Sequence, residues 1–224
     1  MKVLVIEDEQ ALKESIVTYL RQEGYICESA ENYREANLKA ADHSYVCVVV
    51  DLTLPGGSGL DIVRQLKENS PDTGIIIISA KNALDDKITG LEVGADDYLT
   101  KPFHLSELNA RLKSVIRRRS FNGQKIVQAG AITIFPEAAE ASVDGRKLNL
   151  TKKEFDLLLY FISNKRRVVT KDSIAEHLWG DHVEALDSLD FVYTHIKNLR
   201  RKILDAGGED YIQTVYGLGY KFSY

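Results

Sequence analysis

Short apolar runs alternate with longer amphipathic stretches through the first half of the chain. "KVLVI", "YICES", "YVCVVV", "IIIIS" and "DYLT" have strand length and are rich in Val and Ile. Between them, apolar positions recur at helical spacing over Ala11–Glu23, Tyr33–Asp42, Gly59–Asn69, Leu84–Val93 and Leu105–Arg119. Five such units, with central strands that are almost wholly apolar, predict a parallel sheet covered by helices on both faces.

The pattern changes after "RRRSFNGQK", whose charge, Ser, Asn and Gly predict a linker at 120–126 between domains at 1–119 and 127–224. "IVQAG", "AITIFP", "AEASVDG" and "RKLNL" then read as short antiparallel strands separated by turns. Thr151 followed by Glu154 is a capping box that opens an amphipathic helix at "FDLLLYF". Two more helical patterns cover Lys171–Trp179 and Ser188–Leu204, and "YIQTVYGLGYKFSY" reads as a hairpin around "GLG". Three helices followed by a hairpin predict an α+β winged helix-turn-helix domain.

Composition narrows the classes. The longest apolar runs are too short to cross a bilayer, and Met1-Lys2 leads straight into "VLVI" without a signal peptide, so no membrane and a cytoplasmic location are expected. Cys27 and Cys47 have no metal spacing and read as reduced, buried thiols. Residues 1–119 carry 15 Lys and Arg against 19 Asp and Glu, and residues 120–224 carry 14 against 14. In that neutral second half Lys197, Arg200, Arg201 and Lys202 are concentrated within six positions, a footprint for nucleic acid.

The stretch "VVVDLTLPGGSG" ends an apolar strand on a carboxylate, Asp51. Ligands of open parallel sheets bind beyond the carboxyl ends of the strands, where strand order reverses. With strand order 2-1-3-4-5, Glu7 and Asp8 at the end of strand 1 join Asp51 in one crevice. Three carboxylates that close require a cation, and an all-oxygen set suits Mg²⁺. Ser79 at the end of strand 4 and Lys101 after strand 5 add donors for phosphate oxygens.

Glu7-Asp8, Asp51 with "LPGGSG", Ser79-Ala80-Lys81 and Tyr98-x-x-Lys101-Pro102-Phe103 are similar to the receiver domains of two-component response regulators. With its second half, the chain resembles the OmpR/PhoB subfamily of transcription factors. That resemblance implies a flavodoxin-like (βα)5 receiver, with parallel order 2-1-3-4-5, and a winged-helix DNA-binding domain. It implies that Asp51 accepts a phosphoryl group from a sensor histidine kinase, with slow autodephosphorylation and no other enzymatic turnover. Asp8, Asp51 and the Thr53 carbonyl would hold Mg²⁺, with Glu7 acting through water; Ser79 and Lys101 would hold the phosphoryl oxygens, and Tyr98 would act as a switch. Lys87, Glu92, Asp96, Asp97, Glu107, Arg111 and Lys113 match the homodimer face formed on phosphorylation, although Glu107 and Arg111 are also i,i+4 neighbours. Acidic "DHVEALDSLD" matches a loop that contacts RNA polymerase, and a solvated turn accounts for it equally well.

On the last helix Leu189, Val192, Ile196, Leu199 and Ile203 form an apolar stripe. Asp190, Thr194, Lys197, Asn198 and Arg201 then face away from it, with His195, Arg200 and Lys202 on the flanks. Lys and Arg pair with guanine and Asn with adenine in the major groove, so this helix is expected to read promoter DNA. Lys221 in the hairpin is expected to touch phosphate. The hairpin reads "TVYGLGY", placing Tyr216 where many relatives have an arginine for the minor groove. The alternative function is a phosphatase of haloacid-dehalogenase type, which needs a second Asp two positions after the nucleophile; Thr53 is there instead.

Overall fold

The computed structural model describes residues 1–80, 84–121, 123–124, 126–180 and 189–224. They form two compact units, Met1–Gly123 and Gln124–Tyr224. Lys81, positions 122 and 125 of the expected linker, and most of the acidic loop (181–188) lie outside the described residues.

In the first unit β1 (Lys2–Ile6), β2 (Ile26–Ala30), β3 (Cys47–Asp51), β6 (Gly74–Ser79) and β7 (Asp97–Thr100) make one parallel sheet, ordered β2-β1-β3-β6-β7. A two-residue ribbon, β4 (Thr53–Leu54) with β5 (Gly57–Ser58), lies within the loop after β3. With that ribbon set aside the order is 2-1-3-4-5, as the sequence predicts. Alternation sorts the strand side chains into two cores. Leu4, Ile6, Val48, Val50, Ile75 and Ile77 meet Ala36 of α2 (Tyr33–Asp42) and Ile62, Val63 and Leu66 of α3 (Gly59–Asn69). Val3, Val5, Cys47, Val49, Ile76 and Ile78 meet Ile16 and Leu20 of α1 (Gln10–Gln22) and Leu108, Leu112 and Val115 of α5 (Leu105–Phe121). Helix α4 (Leu84–Glu92) completes the unit.

Helix α5 runs two residues into the expected linker, because Ser120 and Phe121 do not break a helix; Gly123 closes the end by donating to the Arg117 carbonyl. Cys27 and Cys47 are both in register with Val3, on opposite sides of β1, so they stand two strand spacings apart and are not bridged. Burial raises the Cys27 thiol to about 11 and lifts that of Cys47 further.

The second unit opens with the antiparallel sheet β11-β10-β9-β8, formed by Val127–Ala129 (β8), Ile132–Phe135 (β9), Glu140–Val143 (β10) and Arg146–Lys147 (β11). Three helices follow: α6 (Lys152–Ser163), α7 (Lys171–Trp179) and α8 (Asp190–Asp205). The Thr151 side chain and the Glu154 carboxylate cap α6 reciprocally. The hairpin of β13 (Ile212–Val215) and β14 (Gly219–Phe222) gains a third strand, β12 (Val168–Val169), between α6 and α7. The stripe on α8 is buried at Val192, Ile196, Leu199 and Ile203, while Leu189 is the half-buried residue before the helix.

Candidate functional sites

Register fixes the acidic crevice. Ile6 pairs with Val50, so the residues just past β1 and the last residue of β3 emerge side by side. One carboxylate oxygen each from Glu7, Asp8 and Asp51 falls within 4.8 Å of the others. Glu7 is fully buried, Asp51 nearly so, and Asp8 is exposed. The Lys101 ammonium reaches in from the end of β7, 2.6 Å from Asp51 Oδ2 and 2.9 Å from Glu7 Oε1. Glu7 Oε1 also accepts from the Glu9 N–H at 3.2 Å. Glu7 Oε2, 2.7 Å from Lys101 Nζ, lies off any hydrogen-bond line. The Thr53 N–H donates to Asp51 Oδ1 at 3.0 Å.

The electrostatics follow from this arrangement. Burial raises the Glu7 carboxyl, Asp51 raises it further, and Lys101 opposes both. Burial disfavours the Lys101 ammonium, but its bonds to Asp51 and Glu7 outweigh that and hold it protonated. One ammonium cannot neutralise three carboxylates, so the crevice favours a further cation. Ser79, buried at the end of β6, is hydrogen-bonded to the Tyr98 phenol, which burial raises. The Lys101 N–H donates to the Ser79 carbonyl at 2.8 Å, and the Lys101–Pro102 bond is cis. At Gly59 a Cβ would stand 2.0 Å from the Asp51 carbonyl oxygen, so only glycine lets the loop close over the aspartate.

The charged residues of α4, β7 and α5 divide into groups. Arg111 donates to both Asp97 oxygens at 3.0 Å and to Glu107 at 2.9 Å, one network across β7 and α5. Lys87 and Glu92 are on α4, near exposed Ile88 and Leu91. Asp96 turns elsewhere, accepting from the Ile75 N–H at 2.9 Å, Lys67 at 3.2 Å and Arg119 at 2.6 Å. Lys113 pairs with Glu23 beyond the end of α1, at 3.0 Å.

On α8 the polar face divides again. Asp190, Thr194, Lys197 and Arg201 are exposed and Asn198 is half-buried. Three flanking residues make contacts within the domain. Arg200 donates to the Ile212 carbonyl and, at 3.2 Å, to Thr214 Oγ1. Lys202 donates to the Asn149 carbonyl at 2.7 Å and to Glu154 at 2.6 Å. His195 packs on Trp179 with ring centroids 5.3 Å apart; burial pushes its imidazole down, and its Nδ1 has no hydrogen-bond partner among the described residues. Tyr193, one turn before Lys197, is exposed but missing from the expected set; its place on the helix wheel was the available signal. In the hairpin Lys221 is half-buried, and Tyr216 at the tip is 92% exposed.

Among the described residues, no helix is long and apolar enough to cross a membrane. The model of the response regulator receiver domain matches residues 3–113, and that of the C-terminal domain of transcriptional regulatory proteins matches residues 145–222. The phosphate regulon transcriptional regulatory protein PhoB of Pseudomonas aeruginosa is 37% identical over 224 residues, covering 99% of this chain and 96% of that one. The response regulator ArlR of Staphylococcus saprophyticus is 37% identical over 219 residues, covering 98% of this chain and 97% of its own. Among solved structures, the receiver domain of the Francisella response regulator 1452 matches 52% of this chain and 97% of its own, with 33% identity and a TM-score of 0.50. The carboxylate crevice, the helix-and-hairpin domain and these full-length relatives lead to one conclusion: the chain belongs to the OmpR/PhoB family of response regulators, phosphorylation-dependent regulators of transcription.

Proposed function

We propose that Asp51 is the residue phosphorylated, by the phosphohistidine of a sensor kinase. The observation that carries this is the Lys101 ammonium held between Asp51 Oδ2 and Glu7 at the mouth of a three-carboxylate crevice. A carboxylate oxygen of Asp51 forms the new P–O bond as the P–N bond of the donor breaks. Lys101 then exchanges its Asp51 contact for a phosphoryl oxygen, and the Ser79 hydroxyl donates to a second one. Such transfer depends mainly on positioning and charge neutralisation. Once Ser79 has turned to phosphate, its bond to Tyr98 is given up, which frees the phenol to act as the switch.

The donor set fits Mg²⁺: carboxylate oxygens within 4.8 Å of one another, and a buried Glu7 oxygen without a hydrogen bond. Asp8, Asp51 and the Thr53 carbonyl would hold the ion, with Glu7 behind a water. Bound Mg²⁺ supplies charge neutralisation for the phosphoryl oxygens. Slow loss of the acyl phosphate would return the protein to rest.

For output, residues 127–224 are the DNA-binding domain, joined to the receiver at 1–119 through 120–126, in a cytoplasmic protein. Thr194, Lys197, Asn198 and Arg201 read base edges in promoter DNA, with Lys221 on phosphate. Asp97, Glu107 and Arg111, with Lys87 and Glu92, form the face on which phosphorylated copies pair. The acidic stretch 181–190 is the part offered to RNA polymerase.

Acetyl phosphate with Mg²⁺ tests the central claim. Intact-mass measurement is expected to show one added phosphate on the wild type and none on Asp51→Asn. An equal gain in the variant refutes the assignment.

A further inference from the structure

We propose that Tyr33 is a positioning residue for phosphorylation: its ring props the β4–β5 ribbon and thereby sets Thr53 against Asp51. This rests on Asp51 being the acceptor, as argued above. The ribbon is two residues a side, pairing Thr53 with Ser58 and Leu54 with Gly57, and a ribbon that short has no stability of its own. Its far end is tied by the Gly59 N–H donating to the Leu52 carbonyl at 3.0 Å. The tip is tied to α2. The Tyr33 N–H donates to the Pro55 carbonyl at 3.1 Å. A Cβ built on Gly57 would stand 2.5 Å from Tyr33 Cγ and Cδ2, so the ring fills the space a side chain would take.

Tyr33 is itself held firmly. It is the first residue of α2, directly after the Asn32 cap, whose side chain accepts from the Glu35 N–H at 2.9 Å, and its ring packs on the core beneath the sheet. The path to the reaction is short. The ring fixes Gly57, Gly57 pairs with Leu54, and the neighbouring Thr53 N–H orients Asp51 Oδ1. The same residue offers the carbonyl assigned to Mg²⁺. Without the ring, Thr53 loses its fixed place while every carboxylate remains.

The test uses the full-length protein with Mg²⁺ as the probe. Calorimetric Mg²⁺ titration without a phosphodonor is read beside acetyl phosphate phosphorylation rates across Mg²⁺ concentrations. Tyr33→Ala is expected to weaken Mg²⁺ binding about tenfold, the order found when outer-shell supports of metal sites are removed. The limiting phosphorylation rate at saturating Mg²⁺ should fall less than the affinity, and Tyr33→Phe should restore both, since the ring and not the hydroxyl makes the contact. Gly57→Ala is expected to weaken Mg²⁺ binding by pushing the ring aside, and Tyr33→Ala added to it should recover part of the loss. If the wild type is phosphorylated on Asp51 and Tyr33→Ala matches it in Mg²⁺ affinity, the proposal is overturned while the Asp51 assignment stands. If the wild type takes no phosphate, the Asp51 assignment fails and the proposal with it. Should Tyr33→Ala not fold, Gly57→Ala decides, and wild-type Mg²⁺ affinity there overturns the proposal.

Discussion

Arg200 and Arg201 are adjacent on α8, and replacing each by alanine should separate stability from DNA reading. The Arg200 guanidinium holds α8 to the wing through the Ile212 carbonyl and Thr214 Oγ1, and lies 6.0 Å over the Tyr220 ring. Hydrogen bonds from a charged group contribute about 1.5–3 kcal/mol, and a cation over an aromatic face about 0.5–1 kcal/mol. Its Nε is 3.2 Å from the half-exposed Asp210, a pair that solvent reduces to ~1 kcal/mol at most. These contributions share one side chain and do not add, so Arg200→Ala should destabilise the second unit by about 2–3 kcal/mol. For a unit of this size that lowers the unfolding midpoint by roughly 10 °C or more. Arg201 is exposed and makes none of these contacts, so Arg201→Ala should change stability by less than about 0.5 kcal/mol. It should instead weaken cognate DNA by about 1–3 kcal/mol, with a much smaller effect on unrelated duplexes. Trp179, the one tryptophan of the chain, packs against Phe191 at 4.4 Å and reports unfolding of this unit by fluorescence. Competition between cognate and scrambled duplexes at fixed salt supplies the other half. An Arg200→Ala protein with an unshifted midpoint and lost specificity, beside an Arg201→Ala protein that still discriminates, would refute the division of labour.

Three other outcomes are expected. The Lys2 ammonium is 2.5 Å from Glu28, whose other oxygen accepts from the Tyr45 hydroxyl at 2.5 Å, all buried; Lys2→Met should cost about 3–5 kcal/mol in denaturant titrations and Lys2→Met/Glu28→Gln clearly less, because the single change strands a charge. Arg111→Glu, which breaks the Asp97–Glu107 network, should abolish dimerisation with a phosphoryl mimic in sedimentation velocity, and undiminished dimer excludes that face. Burial raises the Glu154 carboxyl, but bonds from Lys202 and Thr151 outweigh it and leave the group lowered. The stability it contributes is therefore complete above the ordinary value of 4.5 and is lost as pH falls through its own lower value. Acid titration of Trp179 fluorescence should show Glu154→Gln to be less stable than the wild type near neutrality, with the difference closing in acid. A constant difference at all pH values would reject this role.

The parallel sheet and the acidic crevice were legible because both follow from backbone position. Burial on both covered faces writes itself into β1, β3 and β6 as unbroken apolar runs, and a carboxylate at such a strand's end emerges at the carboxyl end of the sheet. The β4–β5 ribbon left no such mark, since Thr53, Leu54, Gly57 and Ser58 carry no periodicity. It exists because Gly59 lets the chain close over the Asp51 carbonyl and because Tyr33 fills the place of a Gly57 side chain. Likewise β12 is two residues long and is defined by pairing with Lys221 and Tyr220, more than fifty positions later. Contacts that distant cannot be read from a local window.

Charge was legible in kind and not in partner. The helix wheel puts Lys197, Arg200, Arg201 and Lys202 off the apolar stripe, and all four look alike there. What separates them is which neighbour a long side chain can reach. Glu154 is fixed by the capping box and stands near the Lys202 flank, and the open carbonyl of Ile212 faces Arg200. A cation with a buried acceptor in reach gives up solvent for it, because the acceptor would otherwise lose its own hydrogen bond. The same logic draws Lys67 and Arg119 to the little-exposed Asp96, while Lys113 meets Glu23 in an exposed pair. Among the described residues of α8, Lys197 and Arg201 keep their charge toward solvent, and on the function proposed above they are the pair that meets DNA.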